Sequence, residues 1–158
     1  DRIVEVCAIE VDDDFNEIDS FHAFINPQRK VPWFVTRIHG LNNEFLDDKP
    51  IFSDIGRDLL LFLEGSELWA HNMSFDAGML NAEFARNRLP TLEKVDCRLN
   101  CTLQLARSTF PGQKNSLDAL LDRFAIDRSE RRLHGAMIDT RLLVKVYQNL
   151  VSYRTKTS

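Results

Sequence analysis

Apolar positions recur at strand spacing in the first part of the chain and at helix spacing in the rest. From Ile3 to Val11, the residues Val4, Val6, Ala8 and Glu10 alternate with Ile3, Glu5, Cys7 and Ile9. Both sets are mainly apolar, which predicts a strand covered on both faces. The polar run Asp12-Asp13-Asp14-Phe15-Asn16-Glu17 reads as a turn, and Ser20 to Asn26 as the returning strand, ended by Pro27. The acidic triple suits a solvated turn better than a metal site. Val31 to Leu41 has no regular pattern. Ser53 is placed to cap a helix reaching about Leu63, with Ile55, Leu59, Phe62 and Leu63 on one side.

Glu67 to Ala70 predicts a short strand, Phe75 to about Asn87 a helix, and Arg98 to Cys101 another short strand. A helix through Arg107 follows, broken by Phe110-Pro111-Gly112. Ser116 caps the next, with Leu117, Leu120, Leu121 and Phe124 inward, and Ala136 to Leu150 forms the last. Ser152 to Ser158 has no apolar period and predicts a frayed tail. Strands followed by helices alternating with short strands indicate an α/β domain, a mixed sheet flanked by helices. One domain is expected over residues 1–151, with the tail at 152–158.

Composition narrows the possibilities without naming one. The 158 residues suffice for one domain with a sizeable core, and 44% hydrophobic with 28% charged residues is ordinary for a globular protein. A formal net charge of −4 argues against a broadly basic nucleic-acid surface. It leaves room for a nucleic-acid enzyme whose bound cations supply positive charge locally. No apolar run reaches membrane-spanning length and no secretory signal is evident, so no membrane partner is expected. Cys7, Cys97 and Cys101 do not pair evenly, which fits free thiols in a reducing cytoplasm.

Two acidic motifs carry the candidate chemistry: His71-Asn72-Met73-Ser74-Phe75-Asp76 and His134-Gly135-Ala136-Met137-Ile138-Asp139. Asp76 precedes Met79 and Leu80, and Asp139 precedes Leu142, Leu143 and Val146, at spacings that put each carboxylate on its helix's apolar stripe. An aspartate in a first helical turn also suits the helix dipole without any chemistry. Two of them, each preceded by a histidine and each following a turn, favour a divalent-metal site. His134 lies just outside the regular helix, and its near-neutral pKa suits a general base; a capping or surface histidine is the plainer alternative. His71 and Asn72 follow a strand end, and His39 stands between Ile38 and Gly40 where it can contact a ligand or serve structure alone.

With Ile38-His39-Gly40-Leu41, Phe110-Pro111-Gly112-Gln113-x-Asn115-Ser116-Leu117-Asp118 and Leu133-His134-Gly135-Ala136-x-x-Asp139, the chain resembles the histidine branch of the DEDD 3′–5′ exonucleases. Within that family the likeness is strongest to proofreading subunits of bacterial replicative polymerases. The resemblance runs from Asp1 to about Leu150. It implies a ribonuclease-H-like fold and hydrolysis of the terminal phosphodiester at a single-stranded DNA 3′ end with two divalent cations, Mg²⁺ or Mn²⁺. It implies that Asp76 and Asp139 are metal ligands, that His134 is the general base, and that Ile38, His39, Asn72 and Phe75 bind the terminal nucleotide. A polymerase partner and a bacterial cytoplasmic location follow from the same likeness.

One departure stands out. The family's first motif, an Asp-x-Glu pair on a strand before the one starting at Ile3, is not in this sequence; the fold is expected to lack that strand as written, and the sequence to be cut short there. Cys101-Thr102 stands where relatives usually carry Asp-Thr. Two alternatives remain open here: a stand-alone exonuclease of the same superfamily acting on RNA or in repair, and an interaction module that kept the fold and lost the site.

Overall fold

A computed structural model of the chain describes residues 2–30, 41–132 and 135–157. The opening hairpin forms as the alternation predicts. Strand β1 (Glu5–Val11) pairs antiparallel with β2 (Glu17–Phe24), Glu5 facing Phe24 and Ala8 facing Phe21. The register slips between Glu10 and Val11, beside the turn. Asp12 closes that turn: its Oδ1 accepts the backbone N–H groups of Asp14 and Asn16, both at 2.9 Å. Those donors hold the Asp12 carboxyl below its ordinary pKa. The acidic triple is thus accounted for by turn chemistry.

A short helix, α1 (Asn43–Asp47), is capped by Asn42, whose Oδ1 accepts from Phe45 N at 2.8 Å. Helix α2 (Phe52–Leu63) starts two residues earlier than Ser53 would allow as its cap. Ile51 holds the N-cap position, and the Asp54 carboxylate accepts the Ile51 N–H at 3.2 Å. That bond from the third helical residue fixes the start, leaving Ser53 in the first turn.

Strand β3 (Glu67–Ala70) leads into helix α3 (Met73–Arg86), and β4 (Arg98–Cys101) lies parallel to β3, from Glu67 opposite Arg98 to Ala70 opposite Cys101. Helix α4 (Thr102–Thr109) follows directly, then α5 (Leu117–Arg123), with Ser116 Oγ accepting from Ala119 N at 3.1 Å. The last helix, α6 (Ala136–Thr157), does not stop near Leu150. The predicted frayed tail is helical through Thr157, where Arg154 donates to Ser108 Oγ (3.1 Å) and Thr109 Oγ1 (2.9 Å) at the end of α4. These polar contacts, and the Tyr153 ring 4.9 Å from that of Phe110, extend the helix where hydropathy has no period.

The sheet is mixed in character, but among the described residues it consists of two separate two-stranded ladders, β1–β2 and β3–β4. The core is divided in a similar way. One cluster holds Ile25, Phe52, Leu59, Phe84 and Leu92 between the hairpin, α2 and α3. The other holds Ala106, Phe110, Leu120, Leu121, Leu142, Val146 and Leu150 where α4, α5 and α6 meet. Buried Glu83 of α3 ties the start of the chain to the first cluster, its carboxylate taking Arg2 Nε at 2.8 Å and Arg86 at 2.7 Å. Among the described residues no helix is long and apolar enough to cross a membrane.

Candidate active site

The first acidic motif begins where β3 ends. Asn72 adopts a left-handed conformation (φ 83°, ψ 62°), which asparagine tolerates better than most residues, and this turns the chain into α3. Phe75 and Asp76 then occupy the first turn. Phe75 is 59% exposed, unusual for a large aromatic and suited to stacking on a ligand. Asp76 faces inward as its spacing predicts. Burial pushes its carboxyl up to about pKa 6, with no nearby charge contributing to the shift.

His71, also singled out by its place in the motif, has a structural role. Its Nε2 donates to the Asn115 carbonyl at 2.7 Å, so Nδ1 accepts from the Thr102 hydroxyl at 2.9 Å. Burial holds the ring below its ordinary pKa and keeps it neutral. Asn115 is itself buried and locks the loop between α4 and α5. Its Nδ2 donates to the carbonyls of Phe110 (3.2 Å) and Gln113 (3.0 Å), and its Oδ1 accepts from Arg123 at 3.1 Å. The Phe110 to Asn115 motif therefore holds the end of β3 against the second core cluster.

Cys101 joins the turn from β4. Burial raises its pKa, but backbone N–H groups of Met73, Gln104, Asn72 and Leu103 outweigh that and bring the thiol below its ordinary value. Its Sγ accepts the Met73 N–H at 3.4 Å, at the start of α3.

Asp139 lies in the first turn of α6, half-buried, with Oδ1 accepting from Arg131 Nε at 2.9 Å. Residues of the hairpin fix this helix end. Glu5 Oε2 accepts the Ala136 N–H at 3.2 Å and meets His22 Nε2 at 2.7 Å. A Cβ on Gly135 would stand 3.4 Å from that oxygen, an ordinary contact, so this approach does not depend on the glycine. Cys7 donates to Met137 Sδ at 3.6 Å, and Arg141 forms a bidentate pair with Glu17 (3.0 and 3.2 Å). Glu5 and Arg131 went unnoticed in the sequence because their partners lie far away or across a turn.

The two aspartates have no side-chain partner in common among the described residues. Nor do any three of the described His, Cys, Asp and Glu side chains form a group able to hold a metal. His134, Ile38 and His39 lie outside the described residues. A cleft of about 540 Å³ beside the α3 turn is lined by Trp69, Met73, Ser74, Asn100, Cys101 and Gln104. Met73 and Ser74 of the first acidic motif line it, but neither Asp76 nor Asp139 does.

A family model described as Exonuclease (RNase_T) matches residues 1–147, nearly the whole chain. The chain belongs to this exonuclease family. It is 45% identical over 159 aligned residues to the DNA polymerase III subunit epsilon of Rickettsia conorii, covering 97% of this chain and 67% of that protein. To the Pasteurella multocida subunit of the same name it is 38% identical over 153 residues, covering 97% of this chain and 60% of the relative. It thus spans about two thirds of these relatives' length. Among solved structures it resembles exonuclease X in complex with 5′ overhanging duplex DNA (26% identity, TM-score 0.69, 95% of this chain and 82% of that one). A product-bound exonuclease I matches at TM-score 0.79 and 17% identity over 94% of this chain and 38% of that one, a likeness of fold. The expected ribonuclease-H-like α/β fold is borne out.

Proposed function

We propose that this family member is a metal-dependent 3′–5′ exonuclease that hydrolyses the terminal phosphodiester of single-stranded DNA, as the proofreading subunit of a bacterial replicative polymerase in the cytoplasm. One observation carries the chemical part of this reading: the Asp76 carboxylate is half-buried in the first turn of α3, with desolvation and no charged neighbour acting on it. A carboxylate desolvated in that way is costly unless a cation comes to it. The similarity to epsilon subunits over nearly the whole chain supports the replicative setting.

The donor chemistry fits the cations that the family generally uses. Carboxylate oxygens suit hard Mg²⁺ or Mn²⁺. Asp139 already draws one cationic group, the Arg131 guanidinium. In this reading Asp76 and Asp139 hold the metals, two in number. Bound there, they supply positive charge at the attacking and leaving oxygens of the displacement. His134 takes the proton from the attacking water. Ile38, His39, Asn72 and Phe75 seat the terminal nucleotide, with the exposed Phe75 ring stacking on its base.

The test is excision of a 3′-terminal nucleotide by the full-length protein with Mg²⁺ or Mn²⁺. Asp76→Ala and Asp139→Ala each lower the rate about 100-fold or more. His134→Ala lowers it on the same scale while leaving Mn²⁺ binding near wild type. Turnover close to wild type in either aspartate variant would overturn the metal-ligand assignment.

A further inference from the structure

The Arg131 guanidinium spans two acidic side chains with different edges. Its Nε meets Asp139 Oδ1 at 2.9 Å, and its Nη1 meets Asp118 Oδ1. Asp118 is shared with Arg128, which approaches at 3.0 Å and also holds Asp122 at 3.0 Å. Arg131 belongs to the 3-10 turn Ser129–Arg132, and its two ion pairs bridge the start of α5 to the first turn of α6.

We propose that Arg131 is the resident counter-cation of Asp139 in the metal-free protein, displaced from it when a divalent cation binds and retained meanwhile by Asp118. This rests on the reading of Asp139 as a metal ligand. Three features support the exchange. The guanidinium presents separate donors to the two acids, so the Asp139 edge can open while the Asp118 edge stays closed. Both partners of the pair are partly open to water, Arg131 at 30% and Asp139 at 37%, so the pair is weak enough for a divalent cation to outcompete. Asp118 and Asp122 carry two negative charges beside Arg128 and Arg131, so Arg131 does not become an uncompensated cation on leaving Asp139. Asp139 is meanwhile held in one place with its charge balanced, and Arg131 acts as a positioning residue for it.

The alternative is a plain staple that holds the 3-10 turn to α6, and the sign of the change in metal affinity separates the two. Mn²⁺ binding to the full-length protein, followed by electron paramagnetic resonance, reads that sign. Removing a competitor tightens binding, so Arg131→Gln lowers the Mn²⁺ dissociation constant about two- to five-fold, the scale of a partly exposed ion pair. Asp118→Asn removes the second seat, leaves Arg131 on Asp139, and weakens binding by a similar factor. Mn²⁺ also raises the Tm of Arg131→Gln by more than it raises that of wild type. Unchanged or weaker Mn²⁺ binding in Arg131→Gln, with Arg131→Lys behaving the same way, overturns the exchange. Asp139→Asn separates the two levels of the argument. If it weakens Mn²⁺ binding while Arg131→Gln does not tighten it, the exchange alone is wrong. If it leaves Mn²⁺ binding intact, Asp139 is not a ligand and both readings fall.

Discussion

At the scale of single residues, the cost of ionising Asp76 gives a test that needs no substrate. Its folded pKa of about 6 lies above the ordinary carboxylate value, so the folded chain holds this proton more tightly than the unfolded chain does. The resulting stability is fully present below the unfolded value and is lost as pH rises through about 6. Asp76→Asn cannot ionise. In urea titrations with chelator it matches wild type near pH 4 and exceeds it near pH 8 by about 1–2 kcal/mol, after allowance for solvent screening. Equal stability at both pH values would show that the carboxyl is not desolvated. His71 shifts the other way and favours stability at higher pH in both proteins, so the difference between them isolates Asp76. The inward direction of Asp76 was legible because helix spacing decides which way a side chain points. The bonding of His71 was not, because Thr102 and Asn115 reach it only in the folded chain.

At the scale of elements, local chemistry set most of the boundaries, and its failures have local causes. Ser116 caps α5 as its sequence position predicts, while Ser53 loses the cap of α2 to the backward bond from Asp54. The loop before α5 depends far more on Asn115 than on the serine. Asn115→Ala leaves two carbonyls and a guanidinium without their partner and costs about 2–3 kcal/mol; Ser116→Ala costs about 1 kcal/mol. Urea denaturation gives both values, and the reverse order would show that the loop is held by something else. The start of α6 depends on Glu5 of β1. Glu5→Ala speeds amide exchange at residues 136–140 about ten-fold, and Glu5→Gln largely preserves protection. Equal exchange in the two variants would remove Glu5 from any role in placing Asp139. Alternation identified β1 as a strand, but it carries no information on which of its side chains meets a helix so far along the chain.

At the scale of the whole molecule, the described residues form two strand ladders and two core clusters, and α6 packs against β1 of the hairpin as well as against α4 and α5. The sequence alone determined the α/β class, the hairpin, the short parallel strands, the amphipathic helices and the two acidic turns. Each of these depends on the character and spacing of residues near one another in the chain, and hydrophobic periodicity records that directly. Tertiary structure alone decided that α6 continues past Leu150, that His71 is locked, that Glu5 anchors a helix far along the chain, and that Arg131 neutralises Asp139. Those outcomes depend on charges and hydrogen-bond donors that long-range packing brings together, and no local pattern encodes a partner that only folding supplies.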